Sequence, residues 1–89
     1  MPTLHLLIKG KVQGVFYRAT AKDVADELGL TGWVKNTRAG DVEAVVSGSD
    51  EQVQKFITWC RKGPRRAEVT EVAATELHEE AFAGFSVVR

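Results

Sequence analysis

The chain has 89 residues, 44% of them hydrophobic and 27% charged, and its twelve basic and twelve acidic side chains cancel to a formal net charge of +0. That bounds it to one small globular domain, residues 1–89, with a modest core and a small margin of stability. The neutral balance makes no electrostatic case for nucleic acid or a membrane surface, the lone Cys60 excludes an internal disulfide, and neither a signal peptide nor a membrane span is visible, so a cytoplasmic monomer acting on a small molecule is expected.

Residues 3–11 read as a first strand, with Leu4, Leu6 and Ile8 facing one way and His5 and Lys9 the other. Leu7 breaks the alternation, as a central strand touched on both faces would. Apolar residues at helical spacing follow (Tyr17, Ala21, Val24, Ala25, Leu28), so residues 17–28 read as a helix, with Gly29 where a left-handed C-cap belongs. Between them lies Gly10-Lys11-Val12-Gln13-Gly14-Val15-Phe16-Tyr17-Arg18, a strand–loop–helix junction with Gly10 and Gly14 in the loop and Arg18 at the helix entrance.

The physics of such a junction suits an anion. The first N–H groups of a helix have no partner inside it, and the helix dipole adds partial positive charge there. Gly14 can adopt φ > 0 and let successive N–H groups converge on one concavity. Arg18 adds a fork of donors matched to phosphate oxygens. Taken alone, the same residues serve equally as a plain turn followed by a solvated arginine. The stretch is neither a Walker A loop, which closes with Lys-Ser/Thr, nor the more closely spaced dinucleotide fingerprint.

Residues 31–36 and 41–47 read as strands two and three, joined by a short hairpin connection with Gly40 late in the loop. Helix two has the clearest punctuation in the chain. Ser49-Asp50-Glu51-Gln52 is a capping box, Val53, Phe56, Ile57 and Cys60 form an apolar stripe, and Arg61, Lys62, Gly63 and Pro64 mark the end. Strand four falls within 65–77, with irregular alternation near Val69 and Val72 that suggests a bulge. Residues 76–80 read as strand end and loop, and Phe85 and Val87 mark a short last strand.

The order βαββαβ, with one short extra C-terminal strand, is the α+β ferredoxin-like arrangement: an antiparallel-rich sheet of order 4-1-3-2 with both helices on one face. In that topology strands one and two are parallel, with strand three between them, and their C-terminal ends share one edge. The 11–18 loop and Asn36 then face each other across two strand spacings, roughly 10 Å, enough for a phosphoryl group and a water.

Gly32-Trp33-Val34-Lys35-Asn36-Thr37-Arg38-Ala39-Gly40-Asp41-Val42, with Gly48 beyond, is the second informative stretch. With the first it resembles the acylphosphatase family, marked by Gly-x-Val-Gln-Gly-Val-x-[Phe/Tyr]-Arg and Gly-aromatic-[Val/Ala/Cys]-[Lys/Arg]-Asn-x-x-x-Gly-x-Val-x5-Gly. Residues 10–18 and 32–48 match these patterns throughout, and the resemblance covers essentially the whole chain. It implies hydrolysis of an acyl phosphate to a carboxylate and inorganic phosphate, with no metal and no cofactor. It implies further that Arg18 binds the phosphoryl group together with loop N–H groups of Gln13, Gly14, Val15, Phe16, Tyr17 and Arg18, and that Asn36 orients the attacking water.

The chemistry is compatible with so spare a residue set. Phosphoryl transfer asks mainly for positioning and charge stabilisation. The leaving group is a carboxylate of pKa about 4, which needs little help from a general acid. The Asn36 amide is no base; its oxygen can accept a hydrogen bond and aim the water. Gln13, Phe16 and Tyr17 are expected to shape the loop, Trp33 and Trp59 to sit in the core or at its edge, and Lys35 either to assist by charge or to face solvent. His5, His78 and Cys60 form no ligand-spaced cluster, and Arg61–Arg66 is a basic run of the kind helix C-termini attract.

Two other classes stay open on the sequence: a non-catalytic anion- or carbamoyl-phosphate-binding module of ferredoxin-like fold, as in larger maturation enzymes, and an RNA-binding domain of the same topology. The chain's free-standing length counts against the first, and the lack of aromatics in strand three against the second. A loop that reads only the phosphoryl group leaves the acyl part unread, so broad acyl tolerance is expected.

Overall fold

A computed structural model describes residues 1–89. Its elements run β1 (Thr3–Lys11), α1 (Tyr17–Leu28), β2 (Thr31–Asn36), β3 (Val42–Ser47), α2 (Asp50–Lys62), β4 (Glu68–Leu77) and β5 (Phe85–Val87). The fold is ferredoxin-like. The sheet order is β4-β1-β3-β2-β5. β1 pairs antiparallel with β3 and β4, and β2 antiparallel with β3, so β1 and β2 run parallel with β3 between them. β5 adds a parallel edge strand beside β2, with Gly32 opposite Phe85 and Val34 opposite Val87.

The strand pattern explains the core. Leu6, Ile8, Val34, Val42, Ala44 and Val46 share one face of the pleat, and all are fully buried. Both helices close over that face. α1 contributes Tyr17, Ala21 and Ala25, spaced four apart; α2 contributes Val53, Phe56, Ile57 and Cys60. Small residues on α1 let it lie close to the sheet, while the bulk comes from α2. Phe56 alone, fully buried, accounts for about 2–3 kcal/mol of transfer free energy.

Helix two begins at the capping box: Ser49 accepts from the Gln52 N–H, and the Gln52 side chain accepts from the Ser49 N–H. Gly29 ends α1 in the left-handed conformation, φ 74°. The bulge lies in β4, where Lys9 is opposite Glu71 but Gly10 is opposite Val69, leaving Thr70 extra.

One boundary shifts, β3 starting at Val42 rather than Asp41. β1 spans residues 3–11 as expected, so Gly10 lies within the strand. The reason for a glycine there is different from anion binding. With φ 128°, a Cβ at position 10 would meet the Glu68 carbonyl oxygen at 2.1 Å. Gly10 permits the close approach of β4 at the bulge.

The sheet's other face is mixed, with Leu7, Trp33 and Val45 beside a charged cluster. His5 Nε2 lies 2.6 Å from Glu43 Oε2, and Lys35 Nζ lies 3.5 Å from Glu43 Oε1 and 5.2 Å from the Trp33 ring centroid. No helix is long and apolar enough to cross a membrane.

Candidate active site

The loop between β1 and α1 is pinned by three buried residues. Val12, Val15 and Tyr17 are buried in the core, while Gly14 and Phe16 are exposed and Arg18 half-exposed. The Tyr17 hydroxyl donates to the Cys60 carbonyl at 2.7 Å, and its ring packs on Trp59 at 5.2 Å between centroids. Burial pushes the Tyr17 phenol far above its ordinary value, so it stays a protonated donor. Burial likewise pushes the Cys60 thiol up to about 12. Fully buried and protonated, Cys60 is a packing group rather than a nucleophile.

With its buried residues holding the loop from beneath, the backbone between them turns outward. Gly14 has φ 73° and Phe16 has φ 64°, two left-handed residues flanking Val15. A Cβ at Gly14 would meet nothing within 4 Å, so glycine is needed there for conformation rather than space.

The two helix N-termini contrast sharply. α2 is closed by its capping box and has Asp50 and Glu51 in the first turn. α1 has no side-chain cap and no acid in its first turn. The first-turn donors and partial positive charge of α1 therefore face the loop uncompensated by any side chain.

These features open into a cleft of about 720 Å³ lined by Gly14, Phe16, Tyr17, Arg18, Ala19, Asn36, Val87 and Arg89. Asn36 is the last residue of β2, opposite Val42, and lies on the helix-covered face with Val34. Arg18 is the second residue of α1, and its Nη1 lies 3.4 Å from the Val88 carbonyl oxygen at the cleft mouth. The fold thus brings Arg18 and Asn36 to one cleft from two separate elements.

The expected loop residues divide. Gly14, Phe16, Tyr17 and Arg18 line the cleft; Gln13 and Val15 do not. The Val15 side chain is in the core. The Gln13 amide instead donates to the carbonyls of Thr37 and Asp41, each at 2.8 Å, and ties the loop to the hairpin after Asn36. What these two can offer an anion is backbone N–H. Of the two possibilities for Lys35, the open sheet face is the one found, away from Asn36. Val87 and Arg89 escaped sequence reasoning, because three residues of strand carry no sign of which edge they join.

Charge is segregated along the strand direction. Lys11, Arg18, Arg38, Lys62, Arg65, Arg66 and Arg89 stand at element ends or in loops on the cleft's edge of the sheet, where Asp41 and Glu68 are the acidic exceptions. Asp26, Glu27, Asp50, Glu51, Glu76, Glu79 and Glu80 stand at the opposite edge, where Glu79 pairs with the N-terminal ammonium group. A chain of net charge +0 is therefore strongly polar along its axis, positive at the cleft.

Fold and cleft together define a ferredoxin-like α+β domain that gathers an open helix N-terminus, a guanidinium and a carboxamide at one cleft. Comparison with known proteins places it more closely. Residues 4–87 match the acylphosphatase family model. The chain is 56% identical over 73 residues to an acylphosphatase of Marinobacter nauticus, covering 82% of this chain and 79% of that one. It is 47% identical to an acylphosphatase of Methylococcus capsulatus, covering 100% of this chain and 98% of the other. The crystal structure of acylphosphatase from Bacillus subtilis superposes with a TM-score of 0.96 at 33% identity, covering 100% of both chains. The chain belongs to the acylphosphatase family. Its activity is the hydrolysis of acyl phosphates, and its substrate a small molecule.

Proposed function

We propose that residues 1–89 work as one monomeric domain that hydrolyses acyl phosphates without a metal, using Arg18 and the backbone N–H groups of residues 13–18 to hold the phosphoryl group and Asn36 to orient the attacking water. Water attacks phosphorus in line, the bond from phosphorus to the acyl oxygen breaks, and the acyl group leaves as a carboxylate. The water's proton passes to a phosphoryl oxygen or to solvent. Donors fixed before the reaction stabilise the charge spread over the phosphoryl oxygens in the transition state. The buried Cys60 and net charge of +0 support a cytoplasmic setting and a small-molecule partner, with neither nucleic acid nor membrane involved.

The observation that carries the reading is the convergence of Arg18, Asn36 and the uncapped α1 N-terminus on one cleft. Turnover of benzoyl phosphate in EDTA, with inhibition by inorganic phosphate measured alongside, tests it. Wild type should turn over, and Arg18→Ala should lose turnover and phosphate inhibition together. An Arg18→Ala chain that keeps both removes Arg18 from the site, and loss of wild-type turnover in EDTA removes the metal-free mechanism.

A further inference from the structure

Phe16 is the most exposed large apolar side chain in the molecule, at 78%. It is also the single non-glycine residue with positive φ. A bulky side chain in the left-handed region is strained, and an exposed ring recovers none of that through packing. It occupies the N-cap position of α1, where Ser, Thr, Asp or Asn would supply a capping acceptor, yet the phenyl ring makes no cap. Folding therefore gains nothing evident from a phenylalanine here. Its backbone is nonetheless held firmly: the Thr20 N–H and hydroxyl both donate to the Phe16 carbonyl, at 3.1 and 2.9 Å.

The ring stands on the wall of the cleft that holds Arg18 and Asn36, and Ala19 and Val87 add apolar surface there. In an acyl phosphate the acyl carbon is one bridging oxygen away from phosphorus. With the phosphoryl group seated against the 13–18 backbone, the acyl group leaves the loop along the cleft wall. We propose that Phe16 is the specificity-determining residue for the acyl group, its ring favouring aromatic and other extended apolar acyl phosphates over small ones. The proposal rests on the phosphoryl seat described under Proposed function and replaces the expectation that the acyl part goes unread.

The test is the ratio of kcat/KM for benzoyl phosphate to that for acetyl phosphate. Ring-to-ring contact of the usual strength should make Phe16→Ala lower that ratio roughly three- to tenfold. Phe16→Asn, which suits a left-handed N-cap, and Phe16→Gly, which carries no strain there, should lower it equally. Phe16→Tyr, which keeps the ring, should preserve it. A mere distortion of the loop scales both substrates together, so an unchanged ratio in the Ala, Asn and Gly variants overturns the proposal and leaves the hydrolase mechanism intact. Failure of wild type to turn over either substrate would instead overturn the underlying reading, and this proposal with it.

Discussion

The Gln13 side-chain amide donates to the Thr37 carbonyl at 2.8 Å, one residue past Asn36 in the chain. The same nitrogen donates to the Asp41 carbonyl, also at 2.8 Å. One side chain thus spans the β1–α1 loop and the hairpin and ties the two motifs together.

Gln13→Ala should therefore act on both stability and rate. Losing two half-buried hydrogen bonds to backbone should cost about 1–3 kcal/mol in chemical denaturation. Loosening Asn36 relative to the loop should lower kcat more than it raises KM, since the proposed mechanism seats the phosphoryl group on Arg18 and the loop N–H groups rather than on Asn36. A variant with normal stability and normal kcat would show that the clamp positions nothing.

The axial charge segregation bears on substrate capture. A doubly charged acyl phosphate approaches the end of the sheet that carries, beyond the cleft lining, Lys11, Arg38, Arg65 and Arg66. Raising salt from about 0.02 to 0.2 M shortens the Debye length and should lower kcat/KM several-fold with kcat nearly constant. The double charge reversal Arg65→Glu/Arg66→Glu, outside the cleft lining, should lower kcat/KM at low salt and flatten its salt dependence. A wild-type kcat/KM indifferent to salt contradicts the steering.

Glu43 contributes to the acid side of the stability profile. The hydrogen bond from His5, together with the nearby charges of His5 and Lys35, holds its carboxyl below the ordinary value. A lowered folded-state pKa means that the stabilisation is present above the ordinary glutamate value, about 4.3, and is lost as pH falls through the lower folded value. Denaturation of Glu43→Gln should show a smaller loss of stability between pH 6 and pH 3 than wild type. Equal losses would mean that the open-face cluster adds nothing.

Much of this was legible in the sequence, for physical reasons that differ by element. α2 announced itself because caps are local: Ser49, Gln52 and Gly63 each act within one turn of their own position. The β1–β3–β2 arrangement followed from the element order βαββαβ, which has the ferredoxin-like strand order and a right-handed crossover, and it put Arg18 and Asn36 on one edge. Arg89 and Val87 were not legible, because the parallel pairing of β5 with β2 is a long-range choice made by Phe85 filling the core. The role of Gln13 was hidden for the same reason, since its partners are carbonyls, which carry no residue identity. Nor could the sequence show that Phe16, rather than a glycine, takes the left-handed position at the α1 entrance.

The most direct measurement compares kcat with phosphate inhibition in Asn36→Ala, using benzoyl phosphate in EDTA. If Asn36 aims the water while Arg18 and the loop hold phosphate, kcat should fall by about 3 kcal/mol of transition-state stabilisation, more than a hundredfold, with the inhibition constant for inorganic phosphate unchanged. A near-normal kcat, or a parallel loss of phosphate binding, would contradict that division of labour.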